Sequence, residues 1–123
     1  MRTFNLLTVM LLLLVSCTND DDGSIAPCEI PANFSVSAIN DFSATLNWDD
    51  TGAGSYKIEY GVAGFTQGEG LVATTNVPEV TLVDLVADET YEYHVQSICS
   101  ATNVSEYSNL QTFTTDVAPD IHN

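Results

Sequence analysis

The sequence predicts an all-β protein, an antiparallel β-sandwich of about seven strands. Three observations favour this fold class. From Pro31 onward β-branched and aromatic residues alternate with polar ones, no helical period is convincing, and turn-forming residues separate short runs at intervals of about 8–12 residues. With 123 residues, 45% of them hydrophobic, the chain has the length of one domain and the apolar content for a core.

Three strands are predicted in the first half of the sandwich, each with its apolar residues on one face. The alternating sets are Phe34, Val36 and Ala38, then Ala44, Leu46 and Trp48, then Tyr56, Ile58 and Tyr60. Residues 49–55 are a loop by composition, and a glycine-rich loop follows from Gly61 to Gly70, with Val62 and Phe65 as its expected anchors.

Four more strands are predicted in the second half of the sandwich. Leu71 to Thr75 is a short edge strand, and Val80, Leu82 and Leu85 belong to the next one. The longest run is Thr90 to Cys99, and Tyr107 to Thr115 closes the series. Within the longest run one face carries Tyr91, Tyr93, Val95, Ser97 and Cys99.

Residues 1–16 have the composition of a secretory signal peptide. Arg2 is its only positive charge, and Leu6 to Val15 is apolar except for Thr8. This run of about ten residues is too short to span a bilayer, which takes roughly 20. A buried helix of the fold is the alternative, but no amphipathic period supports it.

The residues that follow indicate a lipid anchor. Leu14-Val15-Ser16-Cys17 resembles the lipobox of bacterial lipoproteins, which implies that Cys17 is lipidated and holds the protein on a membrane. Residues 17–29 then read as an acidic, flexible tether. They resemble the acidic stretch that marks surface export in Bacteroidota, which implies a surface-exposed outer-membrane lipoprotein.

The charge balance excludes two kinds of partner, nucleic acid and anionic lipid surfaces. Without residues 1–16, Lys57 is the only basic side chain, while all 17 acidic residues remain. Binding to nucleic acid is excluded because phosphate neutralisation needs Lys and Arg, and attraction to anionic lipid fails for the same reason.

Several runs together resemble a fibronectin type III domain, an immunoglobulin-like sandwich, over residues 30–115, with residues 116–123 as a flexible tail. These runs are Ser43 to Trp48, Tyr56 to Tyr60, and Leu85 with Thr90 to Val95. The resemblance implies that Trp48 is buried and that Leu85 and Tyr91 form a tyrosine corner, where the phenol bonds to nearby backbone. Ala87-Asp88-Glu89 departs from the Pro-Gly often found there, so the resemblance does not extend to this turn.

In that fold the start of the domain and the end of the long strand lie at the same pole. The resemblance therefore implies a disulfide between Cys28 and Cys99, in an oxidising compartment. Such a bridge closes a loop of about 70 residues, for which chain entropy gives at most about 4 kcal/mol.

The expected chemistry is that of a binding protein. The sequence contains no nucleophile elbow, phosphate loop or zinc motif, so we expect no enzyme activity, no cofactor and no metal site. His94 alternates outward and is expected on an exposed sheet face with Lys57 and Glu59. That face is either a solvated polar surface or a recognition patch. Phe65 and Tyr107, on loops, are either interface residues or core fillers.

These expectations describe a non-enzymatic surface lipoprotein whose domain is a protein-interaction or adhesion module. Two alternatives stay open. One is a glycan-binding accessory lipoprotein of a nutrient-uptake system, which a pair of exposed, coplanar aromatic rings would favour. The other is a purely structural spacer.

Overall fold

The computed structural model describes residues 27–119, and this part of the chain folds into two antiparallel sheets that pack face to face. The all-β sandwich is confirmed. The strands of the described range are β1 (Ser35–Ser37), β2 (Ala44–Asn47), β3 (Ser55–Val62), β4 (Leu71–Thr75), β5 (Glu79–Leu82), β6 (Thr90–Ser100), β7 (Asn103–Val104) and β8 (Gln111–Thr114). No helix within residues 27–119 has the length and apolarity to cross a membrane.

The smaller sheet has the order β1-β2-β5, and the larger one has the order β4-β3-β6-β7. The central strand of the larger sheet is β6, which pairs with β3 along one side. Its other side pairs with β8 near its beginning and with β7 near its end. The short edge strand expected at Leu71 to Thr75 is β4, which among the described strands pairs only with β3.

The core lies between the two sheets and is built from the predicted alternation. Its buried apolar side chains are Ala44, Leu46, Trp48, Tyr56, Ile58, Leu82, Leu85, Tyr91, Tyr93, Val95 and Phe113. Trp48, just after β2, bridges the two sheets, because its ring lies edge-on to Tyr56 of β3 at 5.3 Å between centroids. Within the larger sheet, Tyr91 of β6 stacks on its neighbour Phe113 of β8 at 5.5 Å. Burying each large side chain contributes about 1.5–3 kcal/mol, so this cluster supplies most of the drive to fold.

The tyrosine corner forms as the resemblance implied. The phenol oxygen of Tyr91 accepts a hydrogen bond from the backbone N–H of Val86 at 2.8 Å, next to the buried Leu85. The turn that lacks Pro-Gly is held differently. Thr115 donates its hydroxyl to the carbonyl of Val86 and accepts from the N–H of Glu89, while Asp88 takes a left-handed φ of 53° that Asp tolerates.

Several predicted strand bounds were wrong; the second strand, for example, ends at Asn47, before Trp48. Three of the differences have a local reason. The first strand ends before Ala38, whose φ of 51° is left-handed. The strand expected to include Leu85 ends at Leu82, because Leu85 lies in the corner turn. The last strand is limited to Gln111–Thr114, because two serine hydroxyls in the preceding segment replace backbone carbonyls as acceptors for β6. These bonds run from Val95 N to Ser108 Oγ and from Ser97 N to Ser105 Oγ.

The disulfide between Cys28 and Cys99 is present, with the two Cα atoms 5.9 Å apart and a sequence separation of 71. It attaches the chain ahead of β1 to the end of β6. The expected signal peptide, the lipid-bearing Cys17 and residues 18–26 of the tether lie outside the described residues, as do residues 120–123 of the tail. Lipidation of Cys17 stays a prediction.

Candidate functional site

The predicted polar face lies on the side of the larger sheet that is turned away from the core. Glu59 of β3 is directly opposite His94 of β6, and Lys57 is opposite Gln96. The alternation therefore placed Lys57, Glu59 and His94 on the correct face of the sheet.

The expectation that this face is exposed was wrong at its centre. Glu59 is only 4% exposed and His94 only 2%. The reason is that two loop aromatics cover the pair. Tyr107 stacks on the His94 ring at 4.0 Å between centroids, and Phe65 meets the same ring edge-on at 6.4 Å. Lys57 is half-buried beside them.

The buried carboxylate of Glu59 is fully hydrogen-bonded. Its Oε1 lies 2.6 Å from His94 Nε2, and its Oε2 accepts the backbone N–H groups of Gly68 at 2.6 Å and Gly70 at 2.9 Å. Burial raises the pKa of this carboxyl, but the bonds from His94, Gly70 and Gly68 outweigh it, and the net pKa is lowered. Because the ionised carboxylate only accepts, His94 Nε2 carries the proton and donates it.

Phe65 sits in a niche that two glycines leave open. A Cβ atom at Gly61 would lie 2.9 Å from Phe65 Cγ, and one at Gly70 would lie 2.8 Å from Phe65 Cε2 and 2.7 Å from the carbonyl oxygen of Tyr60. The glycine-rich loop therefore closes onto the sheet only because these positions have no side chain. We call Glu59, His94, Phe65, Gly61, Gly68 and Gly70 the loop anchor.

A cavity of about 380 Å³ opens between the anchored loop and the sheet. It is lined by Lys57, Glu59, Gln67, Gly68, Val72, His94 and Tyr107. Both oxygens of Glu59 are already bonded within the protein, so this lining offers a ligand few convergent polar groups. Within residues 27–119 no three His, Cys, Asp or Glu side chains come together as a metal ion would require.

A second cavity of about 440 Å³ lies at the neighbouring edge of the sandwich. It is lined by residues 30–34 on one side and by residues 107–109 and 111 on the other. Tyr107 lines both cavities.

Phe65 and Tyr107 do not form the paired platform that would favour a sugar ligand. Their rings make angles of 83° and 17° with the His94 ring, so the two rings are not coplanar. Both side chains are half-buried. The two aromatics act as a cover for the Glu59–His94 pair.

Sequence reasoning missed the surface properties of β4. Leu71 is 62% exposed and Val72 is 55% exposed, although both belong to a regular strand. The strand has no charged residue and no Pro, which are features that usually protect an edge. The sequence contained a signal for this, because Leu-Val-Ala-Thr-Thr was expected to be an edge strand and contains no charged residue or Pro.

Comparison with protein-family models gives a match to the model described as "Fibronectin type III domain" over residues 29–113. Comparison with curated proteins by sequence gives no significant match.

Solved structures share the fold. The fn3 domain of human collagen alpha-1(XX) chain superposes with a TM-score of 0.65 at 24% identity, over 85% of this chain and 100% of that one. The fn3 domain of human contactin 1 superposes with a TM-score of 0.69 at 18% identity, over 86% and 92%. A two-domain segment of chicken tenascin gives 0.64 at 24% identity, over 72% and 51%. At these identities the likeness concerns the fold alone.

Proposed function

This chain belongs to the fibronectin type III family, and on that premise we propose that it is a non-enzymatic lipoprotein of the bacterial cell envelope that binds another protein at the cell surface. Domains of this family are commonly protein-interaction modules. The observation that carries the proposal is the exposure of Leu71 and Val72 on an edge strand, because apolar side chains at an unguarded edge are typical of interaction sites.

The envelope location rests on the beginning of the chain. The sequence Leu14 to Cys17 supports a lipid anchor, and the acidic residues behind it support display at the outer surface of an outer membrane. In this arrangement the partners of the protein are the membrane, through lipid on Cys17, and a second protein, through the sandwich.

The buried Glu59–His94 pair supports a structural role and not a catalytic one. Both carboxylate oxygens are hydrogen-bonded within the protein, and the imidazole lies beneath Tyr107. A general acid or base must exchange a proton with its substrate, whereas both oxygens of Glu59 and the Nε2 atom of His94 already form hydrogen bonds within the protein.

Crosslinking of intact cells tests the proposal. The full chain, carrying an affinity tag, is expected to crosslink reproducibly to one or a few envelope proteins, and C17A is expected to lose both lipid labelling and that set of crosslinks. External protease is expected to degrade the wild-type protein on intact cells. Crosslinks no different from those of an unrelated surface lipoprotein, or protection from protease until the cells are lysed, would contradict the proposal.

A further inference from the structure

We propose that the outer edge of β4 is the docking site, and that it takes an extended segment of a basic partner protein as an additional strand of the larger sheet. This inference rests on the proposed function and names the surface and the chemistry of the partner.

The backbone of β4 is available for such pairing. Among the described strands β4 pairs only with β3, so its outward N–H and C=O groups have no strand beside them. The other edges are less suited. At the far side of the larger sheet, β7 has only two residues and β8 has four, whose one large apolar side chain, Phe113, is buried. At one side of the smaller sheet, β1 has only three residues, and at the other side β5 begins at Glu79, directly after Pro78. Strand addition takes its affinity from backbone bonds, so the longer unprotected edge is favoured.

Two side chains of β4 are left for a partner to cover. Leu71 and Val72 are consecutive in the strand, so they point to opposite faces of the sheet. Both are more than half exposed. An added strand would bury apolar surface on both faces of the sheet. This burial would fix the register of the added strand and increase its affinity.

The edge is held ready by the loop anchor. The carboxylate of Glu59 binds the N–H groups of Gly68 and Gly70, and Gly70 leads directly into Leu71. The beginning of β4 is therefore fixed before any partner arrives. Binding to a fixed edge avoids the entropy loss of ordering a mobile one.

The charge of the domain identifies the partner as basic. Lys57 is the only Lys or Arg in residues 27–119, whereas most of the 17 acidic residues of the chain lie there. Exposed Glu69 precedes β4 by two residues and exposed Glu79 follows it by four. Lys57 lies on β3, one strand in from the edge, and is half-buried. Two copies of this domain would repel each other, so a positively charged partner is favoured over self-association.

Amide hydrogen exchange with a defined probe tests the inference directly. The probe is a synthetic peptide of eight residues in which Val alternates with Lys, and its control replaces each Lys by Glu. Addition of the Lys peptide to the full chain is expected to slow the exchange of outward amides in β4 at least tenfold, and to leave β1 and β8 unchanged. No protection of β4, or equal protection by the Glu peptide, would overturn the inference.

Two matched variants separate the edge from the rest of the surface. Val72 and Val83 are exposed to the same degree, 55% and 56%, and only Val72 lies on β4. V72K is expected to weaken binding of the Lys peptide at least tenfold, and V83K less than twofold. Both variants change the net charge equally. Equal losses of affinity would therefore show that binding of the peptide depends on net charge alone, and the inference would be wrong.

The same pair of variants distinguishes this inference from the proposed function in cells. Loss of the crosslinked envelope partner in V72K, with retention in V83K, supports both, provided that mass spectrometry places the crosslink in a basic segment of that partner. Retention of the partner in both variants overturns the β4 docking site and leaves the interaction function standing. Absence of any specific partner for the wild type overturns the proposed function itself.

Discussion

Glu59 is a carboxylate buried on the face of a sheet that alternation assigns to solvent, and three donors make its burial possible. One is an imidazole and two are backbone N–H groups of one loop. A buried charge that loses a partner is destabilising because desolvation is then uncompensated. Glu59 and His94 are therefore expected to contribute to stability mainly through each other and through the loop that they hold.

Substitution of His94 tests this dependence. H94A removes one donor to Glu59 and the ring beneath Tyr107, so we expect the free energy of unfolding to fall by about 3 kcal/mol. E92A is the matched control, because Glu92 lies two residues away on the same face and binds Gly64 N–H in an exposed setting. Its loss is expected to be below about 1 kcal/mol. Urea denaturation measures both, and similar losses would show that the buried pair adds nothing special.

The lowered pKa of Glu59 predicts a loss of stability in acid. Its ordinary pKa is 4.5, and the folded value is lower, so at acid pH the unfolded chain binds more protons at this group than the folded one. The stabilisation is complete above pH 4.5 and is lost as pH falls through the folded pKa. We expect the NMR titration of the Glu59 side chain to have its midpoint below 4.5, and E59Q to lose less stability on acidification. A midpoint at or above 4.5 would contradict the assigned hydrogen bonds.

At the scale of the element, the loop between β3 and β4 is a structural cover over the sheet. Its closure depends on the space above Gly61 and Gly70, which the ring of Phe65 and the backbone of Tyr60 occupy. In this closed position the loop donates the N–H groups of Gly68 and Gly70 to the carboxylate of Glu59. A side chain added in this niche would push the loop away from the sheet.

Alanine substitutions at two glycines test this view. G70A places a Cβ atom 2.7 Å from the Tyr60 carbonyl oxygen, so we expect a loss of about 1–3 kcal/mol in unfolding free energy and faster amide exchange at Gly68. G54A is the control, because its Cβ atom would lie 3.8 Å from the nearest atom, the carbonyl oxygen of Ile98. We expect G54A to be neutral within about 1 kcal/mol. If G70A were equally neutral, the loop would not depend on this niche.

The sandwich fold could be predicted from the sequence, but the loop aromatics that cover the Glu59–His94 pair could not. Alternation assigns each residue to a face of its own sheet, which is why Trp48 and Tyr91 were correctly placed in the core. Alternation contains no information about which loop lies over the opposite face. The burial of His94 depends on Phe65 and Tyr107, one from each flanking loop, and contacts of that separation have no local signature.

At the scale of the whole molecule, the disulfide joins two positions that are far apart in the sequence. Cys28 and Cys99 are 71 residues apart. Closing a loop of that length restricts the unfolded chain more than the folded one. The aromatic core holds the two sheets together. The disulfide lies outside this core and adds to the stability of the domain.

Removal of the bridge is expected to weaken the whole domain. The double variant C28S and C99S should lose up to about 4 kcal/mol of unfolding free energy, with a lower Tm in thermal denaturation. C17A removes the third cysteine and is expected to leave the Tm unchanged, because Cys17 takes no part in the bridge. Equal effects of the two changes would indicate that the thiols exchange partners.

The bridge also determines how mechanical tension enters the domain. A pull applied ahead of Cys28 reaches Cys99 through the covalent bond and passes into β6, the longest described strand, which has partners on both sides. The short β1 lies downstream of that junction and is spared the load, so it is not peeled from its sheet. A domain attached in this way resists shear along its best-supported strand.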